Sequence, residues 1–82
     1  MKVEDIITKI DETLETYNLP RRVKDALQKV KKDLKMDNQD LAIRATSAIY
    51  LLDEVANDVN IPMHAKTALW DVISDLEALK EE

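Results

Sequence analysis

Apolar residues recur along most of this chain at alternating intervals of three and four positions. This spacing lines one side of an α-helix, which turns once every 3.6 residues. The first stripe contains Val3, Ile6, Ile7, Ile10, Leu14 and Tyr17. The second stripe contains Val23, Ala26, Leu27, Val30 and Leu34. The pattern predicts helices over residues 3–17 and 20–35, with Pro20 as the first residue of the second helix.

The same periodicity continues through the second half. The third stripe contains Leu41, Ala45, Ala48, Ile49, Leu52, Val55, Ala56 and Val59. The fourth contains Ala65, Ala68, Leu69, Val72, Ile73, Leu76 and Leu79. We therefore predict helices over residues 38–58 and from Pro62 almost to the end of the chain. Asp37 is the predicted N-cap of the third helix and Asp40 its N3 residue, because carboxylates accept hydrogen bonds from the first free N–H groups.

The two halves resemble each other at an offset of 42 residues. Asn18 and Pro20 recur as Asn60 and Pro62, and the similarity extends on both sides of these turns. We expect the asparagines to end the preceding helices in the left-handed conformation. Self-similarity at this period indicates a repeated supersecondary unit, here a helical hairpin.

These elements predict an all-α protein, a four-helix up-and-down antiparallel bundle built from two similar helical hairpins. The hairpins would span about residues 3–35 and 38–80 of a single domain covering residues 1–82. Two stacked hairpins of a solenoid are the alternative. Solenoids generally need three or more repeats, so the closed bundle is favoured.

Composition narrows the classes of function. The chain has no Cys and no Gly, which excludes disulfides, thiolate metal sites and glycine-rich phosphate loops. It has neither an apolar run of about 20 residues nor the basic and apolar start of a signal peptide. We therefore expect a soluble, cytoplasmic protein without membrane contact.

The run from Arg44 through Thr67, continued through Glu77, resembles archaeal uncharacterised protein family number 0147. Residues 19–22 extend the resemblance more loosely, so that it covers nearly the whole chain. It implies a small archaeal four-helix bundle of unknown biochemical function and supplies no catalytic residue. Val59 departs from it, since the resemblance implies a proline at that position.

No group of residues has the composition of a catalytic, cofactor or metal site. His64 is the only histidine, and no second imidazole is present to share a transition metal. Neighbouring acids such as Asp53 and Glu54 point about 100° apart on a helix, so they do not converge on one atom. Ser47 and Ser74 lack the histidine and acid of a nucleophile site. We predict a non-enzymatic protein with no small-molecule substrate.

The second helix is strongly basic. It carries seven basic and two acidic residues, a net charge of +5 within a chain of net charge −5. Four of the cations, expected on its outer face, form a candidate polyanion patch: Arg21, Lys24, Lys31 and Lys35. Such a patch is typical of nucleic-acid contact. Alternatively the helix is a solvated face whose charges pair with acidic neighbours such as Glu12, Glu15 and Glu77.

The repeat also predicts contacts within each hairpin. Positions equally distant from the proline turn should meet, which places Asp11 near Gln28 and Asp53 near Trp70. Glutamine and tryptophan side chains both carry an N–H donor. We therefore expect equivalent hydrogen bonds from these donors to the two carboxylates.

Four apolar residues lie beside the main stripes of the last two helices. Ile43 and Tyr50 are seven apart on the third helix, and Met63 and Trp70 are seven apart on the fourth. We predict that they form a candidate interface, because a patch rich in methionine and aromatic residues is typical of one. The alternative is that these residues only widen the inward faces, with Trp70 folded over the end of the bundle.

The sequence therefore favours a protein-interaction module that binds another protein or, as a two-fold dimer, a second copy of itself. A nucleic-acid-associated accessory protein that binds through the second helix is the alternative function.

Overall fold

The computed structural model of the chain describes residues 2–36 and 40–81. These residues form four helices and no strand: α1 (Val3–Thr16), α2 (Arg21–Lys35), α3 (Leu41–Ala56) and α4 (Met63–Lys80). The predicted all-α class and the four helices are confirmed. Across this described part of the chain, none of the helices is both long and apolar enough to cross a membrane.

The buried core is one contiguous cluster to which all four helices contribute. Helix α1 packs against α2 and α4, and α3 packs against α2 and α4. The largest fully buried side chains are all aliphatic: Ile6, Ile10, Val23, Leu27, Val30, Leu52, Leu69, Val72 and Leu76. Each such side chain stabilises the fold by about 1.5–3 kcal/mol through removal of apolar surface from water. The periodic stripes read from the sequence contain all nine.

Helix α3 begins three residues later than predicted. Its N-cap is Asp40, whose carboxylate accepts a hydrogen bond of 3.1 Å from the backbone N–H of Ala42. This carboxylate satisfies a free N–H group at the helix start, so the assignment of Asp40 to N3 was wrong. Asp37, the predicted N-cap, lies outside the described residues. The helix ends at Ala56 rather than at residue 58.

The predicted left-handed conformation of Asn18 and Asn60 is also wrong, since no residue in the described ranges has a positive φ. Helix α1 ends because Tyr17 adopts an extended conformation, with φ −104° and ψ 142°. Pro20 and Pro62 are extended in ψ and act as N-caps rather than as first helical residues.

Each proline turn is held to the core by the residue before the proline. Leu19 and Ile61 are both buried, and they occupy equivalent positions in the repeat. The helical stripes did not include them because neither lies in a helix. They fix where the two connections cross the end of the helices.

Two basic side chains cap the ends of neighbouring helices. Lys66 donates from Nζ to the carbonyl oxygens of Ala56 and, at 2.8 Å, Asp58. Arg44 donates from Nη1 to the carbonyl oxygens of Leu34, at 2.9 Å, and Met36. The last carbonyl groups of a helix lack intrahelical partners, so these bonds satisfy them and join α3 to α2 and α4 to α3.

The repeat provides a matched pair for testing this capping. Lys24 occupies the position equivalent to Lys66, but it is exposed and its side chain makes no hydrogen bond to another described residue. We expect Lys66→Met to lower the free energy of unfolding by about 1–3 kcal/mol, because two charge-assisted hydrogen bonds are lost. Lys24→Met should change it by less than about 0.5 kcal/mol. Chemical denaturation followed by circular dichroism measures both, and equal effects would contradict the capping role.

Candidate functional site

The three aromatic residues of this chain all lie at the surface. Tyr17, Tyr50 and Trp70 are 46%, 72% and 48% exposed, and the chain contains no Phe. Aromatic side chains are ordinarily buried in cores or used at interfaces, since each can bury a large apolar area. Here the core is aliphatic, so the packing of the fold does not account for Tyr50 and Trp70.

The four predicted interface residues are all exposed. Ile43 is 53% exposed and Met63 is 65% exposed, alongside the values above for Tyr50 and Trp70. Residues that only widened the inward faces would be buried or half-buried, which is the state of Ile49 and Ile73. This exposure excludes the alternative in which the four residues only widen the inward faces. Their role as an interface stays a prediction.

The four residues lie on two helices that pack against each other. Tyr50 lines an open hollow together with Glu77 of α4, so it lies on the side of α3 that adjoins α4. Trp70 and Met63 precede Glu77 by seven and fourteen residues, which puts them along the same side of α4. Ile43 stands in the same relation to Tyr50 on α3. We call this set, Ile43, Tyr50, Met63 and Trp70, the α3–α4 surface.

Exposed hydroxyl residues lie among these side chains. The positions four residues after Ile43, Met63 and Trp70 are occupied by exposed Ser47, Thr67 and Ser74. Positions four apart share one face of a helix, so these hydroxyl groups lie between or beside the apolar side chains.

Charged groups also lie beside these side chains, and Asp53 is exposed one turn after Tyr50. Glu54 follows Tyr50 by one turn on α3. Glu77 and Lys80 line the hollow at the far end of α4. The α3–α4 surface therefore combines exposed apolar side chains with hydroxyl groups and with charges of both signs.

Several basic side chains of helix α2 form ion pairs with carboxylates. Lys31 Nζ lies 2.6 Å from Asp11 Oδ1 of α1, and Arg22 pairs with Asp58 in the connection between α3 and α4. Within α2, Lys29 pairs with Asp33 at 3.3 Å. The acidic partners from outside α2 are therefore Asp11 and Asp58, whereas the sequence suggested Glu12, Glu15 and Glu77.

The candidate polyanion patch is smaller than predicted. Arg21, Lys24 and Lys35 are exposed, in agreement with an outer position on α2. Lys31 is half-buried against α1, because the Asp11 carboxylate draws its amine toward that helix. Its placement on the free outer face was wrong. Binding of a polyanion by the other three stays a prediction.

The predicted carboxylate hydrogen bonds within the hairpins are wrong. Asp11 pairs with Lys31, one helical turn beyond Gln28, because a charged amine on a long side chain reaches the carboxylate and binds it more strongly than an amide. Between Asp53 and Trp70, both described and both exposed, the structure contains no hydrogen bond. Both side chains point to solvent rather than toward each other.

Helices α1 and α4 are joined by an ion-pair cluster that the sequence analysis missed. Lys9 Nζ lies 2.7 Å from Asp75 Oδ2 and 2.9 Å from Asp71 Oδ1. Partial burial opposes the charge on the amine, but hydrogen bonds and the negative charges of the two carboxylates outweigh it, so the pKa of Lys9 is raised. A signal was present: Lys9 is the only basic residue in α1, and the two aspartates are one turn apart on α4.

The two proline turns exchange contacts. Arg22, just after the first turn, pairs with Asp58 of the second. His64, the equivalent of Arg22 in the repeat, lies just after the second turn, and its Nε2 is 3.1 Å from the carbonyl oxygen of Asn18 in the first. The ring N–H donates this hydrogen bond. Equivalent positions of the two halves therefore bind each other's turns.

Asp58 is the most constrained carboxylate at this end of the molecule. Its side chain accepts a 2.9 Å hydrogen bond from the backbone N–H of Asn60. That bond, opposed by partial desolvation and reinforced by the Arg22 charge, lowers the pKa of Asp58 below its ordinary value of 3.8.

Over the part of the chain that the structure describes, no group of three or more His, Cys, Asp or Glu side chains is arranged to hold a metal ion.

The lowered pKa of Asp58 gives a prediction about acid stability. A carboxylate whose pKa is lower in the folded than in the unfolded state stabilises the fold above the unfolded value, and this contribution is lost as the pH falls through the folded value. We therefore expect the wild-type protein to lose more stability than Asp58→Asn when the pH is lowered from about 5 to below 3.8. Urea denaturation across this range measures the difference. Asp53→Asn controls for the loss of one negative charge, and identical acid profiles for wild type and Asp58→Asn would contradict the prediction.

Comparison with known proteins identifies relatives over nearly the full length. The model of Uncharacterised protein family (UPF0147) matches residues 1–79. A UPF0147 protein of Methanocaldococcus jannaschii is 34% identical over 71 residues, which cover 87% of this chain and 76% of the relative.

Two solved structures have the same fold. A crystal structure of a UPF0147 protein from Thermoplasma acidophilum has a TM-score of 0.83 and 36% identity, covering 93% of this chain and 89% of that one. The crystal structure of the protein of unknown function MMP1188 has a TM-score of 0.79 and 32% identity, covering 92% and 85% of the two chains.

Proposed function

We propose a function for this chain, which belongs to the uncharacterised protein family UPF0147, from the chemistry of its own surface. The family resemblance expected from the sequence is confirmed, and the relatives, which come from archaea, carry no statement of activity. The chain is a non-enzymatic protein-interaction module that binds a protein partner through the α3–α4 surface.

The exposure of Tyr50 and Trp70 carries this proposal. A small fold gains stability by burying aromatic side chains, yet this chain leaves both in solvent on adjacent helices. Interfaces are enriched in tyrosine, tryptophan and methionine, and the α3–α4 surface contains one of each. A partner that covered them would remove a concentrated apolar area from water.

Contacts between the helices hold the α3–α4 surface in a fixed position. We infer that they form an up-and-down antiparallel bundle of two related hairpins. The supporting contacts join consecutive elements: Lys31 with Asp11 between α1 and α2, Arg44 with the end of α2, and Lys66 with the end of α3. A side chain on a supported helix loses little conformational freedom on binding, which favours affinity.

Nucleic-acid binding through α2 is the second candidate. Three cations of this helix, Lys24, Lys32 and Lys35, make no ion pair with another described residue and are exposed. Phosphate contacts need such free cations, and each adds to a strong salt dependence. The pairing of Arg22, Lys29 and Lys31 with carboxylates reduces the local positive potential, so we favour the protein-interaction function.

Capture of partners from native cell lysate, with and without nuclease, tests the proposal. We expect partners of the wild-type protein to persist after nuclease and to be lost from Tyr50→Glu, because a buried charge is costly at an apolar interface. Tyr17→Glu makes the same chemical change on an exposed tyrosine away from the α3–α4 surface and should retain the partners.

A further variant separates the two candidate functions. Lys24→Glu combined with Lys35→Glu reverses the free charge on α2 and should leave protein partners bound. If partners are instead released by nuclease or by this double substitution, and Tyr50→Glu retains them, the α3–α4 surface is not the binding surface.

A further inference from the structure

We propose that the partner of the α3–α4 surface is a basic segment of another protein, which combines arginine or lysine with apolar residues. This inference rests on the proposed function and deepens it by naming the chemistry of the partner. Three features lead to it: the carboxylates around Tyr50, a hollow beside its ring, and the exposed apolar side chains of the same surface.

Carboxylates surround Tyr50 on both helices. Asp53 and Glu54 follow it by one turn on α3. Glu77 and Glu81, at the end of α4, line the same hollow as Tyr50. All four carboxylates are exposed, and none forms an ion pair with another described residue. Their charge attracts a basic partner and repels an acidic one.

Asp53 differs from the other aspartates in the described chain. Each of those accepts a hydrogen bond from a backbone N–H group or forms an ion pair with a basic side chain. Asp53 does neither with any described residue. Because the described part of the fold provides no partner for this carboxylate, it is free to bind a cation from another molecule.

One cation opposes this negative charge. Lys80 lines the hollow together with Glu77 and Glu81, and it is exposed without an ion pair to another described residue. The two carboxylates outnumber it, so the described lining of the hollow has a net negative charge. Lys80 repels a bound cation, so its removal should strengthen binding, whereas removal of the carboxylates should weaken it.

The hollow has the size and the lining for one cationic side chain. Its volume is about 230 Å³, below the roughly 300–1,000 Å³ that is typical of small-molecule sites. The exposed Tyr50 ring and half-buried Ile49 offer apolar contact, while Glu77 and Glu81 offer acceptors. A guanidinium group can stack on an aromatic ring and donate to carboxylates, which favours arginine over lysine at this point.

The exposed apolar side chains select a segment that is amphipathic and not merely basic. Ile43, Met63 and Trp70 lie on the same surface and are each about half exposed or more. A segment with cations alone would leave them in water, whereas apolar residues between the cations would cover them. The basic helix α2 of a second copy does not combine the two, because its apolar residues are buried in its own core. We therefore assign the surface to another protein.

A synthetic peptide tests this chemistry. The probe is a helical peptide of about 15 residues with leucine at three-and-four spacing, arginine at the remaining positions and no aromatic residue. Two matched peptides carry glutamate in place of arginine, or serine in place of leucine. The emission of Trp70, the only tryptophan, should shift to shorter wavelength with the first peptide and stay unchanged with the glutamate peptide. The serine peptide should bind at least about 5-fold more weakly than the first.

Substitutions locate the binding surface, with dissociation constants measured by isothermal titration calorimetry. We expect Glu77→Gln combined with Glu81→Gln to weaken binding of the arginine peptide at least about 5-fold, and Lys80→Gln to strengthen it about 2-fold. Glu12→Gln combined with Glu15→Gln removes the same charge from exposed positions on α1 and should change binding by less than about 2-fold. Circular dichroism checks that every variant stays helical.

Salt provides a test that needs no variant. Raising its concentration from about 0.1 M to about 1 M shortens the screening length from about 10 Å to about 3 Å. Binding of the arginine peptide to the wild-type protein should weaken several-fold over this range. Binding that salt leaves unchanged would mean that apolar contact alone holds the peptide, which would overturn the inference.

Other results would also overturn it. The wild-type protein might bind the glutamate peptide as tightly as the arginine peptide, or bind neither. Equal losses in the two double variants would mean attraction by net charge alone. Native partners that Tyr50→Glu releases and the Glu77→Gln, Glu81→Gln variant retains would refute the basic segment and leave the proposed function standing. If Tyr50→Glu retains those partners, the proposed function fails and this inference fails with it.

Discussion

Burial of aliphatic side chains between four helices is the interaction on which the rest of this structure depends. An 82-residue chain buries a smaller fraction of its surface on folding than a larger domain does, and this one has no cysteine with which to form a disulfide. Isoleucine, leucine and valine occupy its fully buried positions. Because the aliphatic stripes already fill the space between the helices, the aromatic side chains are left outside.

Charged contacts join helices that are neighbours in this core. Lys9 binds two aspartates of α4, Lys31 binds Asp11 of α1, and Arg22 binds Asp58 beyond α3. Partly exposed pairs of this kind each contribute little to stability. Their effect is on arrangement, since an alternative order of helices would leave carboxylates and cations without these partners.

The internal repeat extends to the contacts between the halves. Arg22 and His64 occupy equivalent positions, and each binds the proline turn of the other half. Leu19 and Ile61, also equivalent, anchor those turns in the core. The halves differ where Lys66 caps the preceding helix and Lys24 does not. The side chain of Lys24 on α2 therefore forms no hydrogen bond or ion pair with another described residue.

The sequence predicted the helices and the core well, because aliphatic residues at three-and-four spacing have one low-energy arrangement. It predicted the turns poorly. Tyr17 and Pro20 are extended on either side of the buried Leu19, and burial of a residue between helices is a tertiary contact that helical periodicity does not contain. Asp40 caps α3, whereas the sequence pattern predicted Asp37. Residues 37, 38 and 40 are Asp or Asn, which cap helices about equally well, so the pattern alone did not distinguish them.

The candidate site was predictable only in part, for a related reason. Exposure of Tyr50 and Trp70 followed from their places beside the stripes, since a helix turns at a fixed rate. The pairing of Lys31 depended on how α1 and α2 rotate about their axes, and a shift of one turn exchanged Gln28 for Lys31 as the partner of Asp11. Contacts between long side chains on different helices therefore required the structure.

Binding of a protein partner by the α3–α4 surface is tested most directly by nuclear magnetic resonance of the isotope-labelled protein, with and without nuclease-treated native cell lysate. Backbone amide signals report every helix at once, so the position of an association surface is read without mutation. We predict that the signals of Ile43, Tyr50, Met63 and Trp70 shift or broaden when the partner binds, with the outer face of α2 unchanged. Changes confined to α2, or a captured partner that leaves these four signals unchanged, would contradict the proposed function.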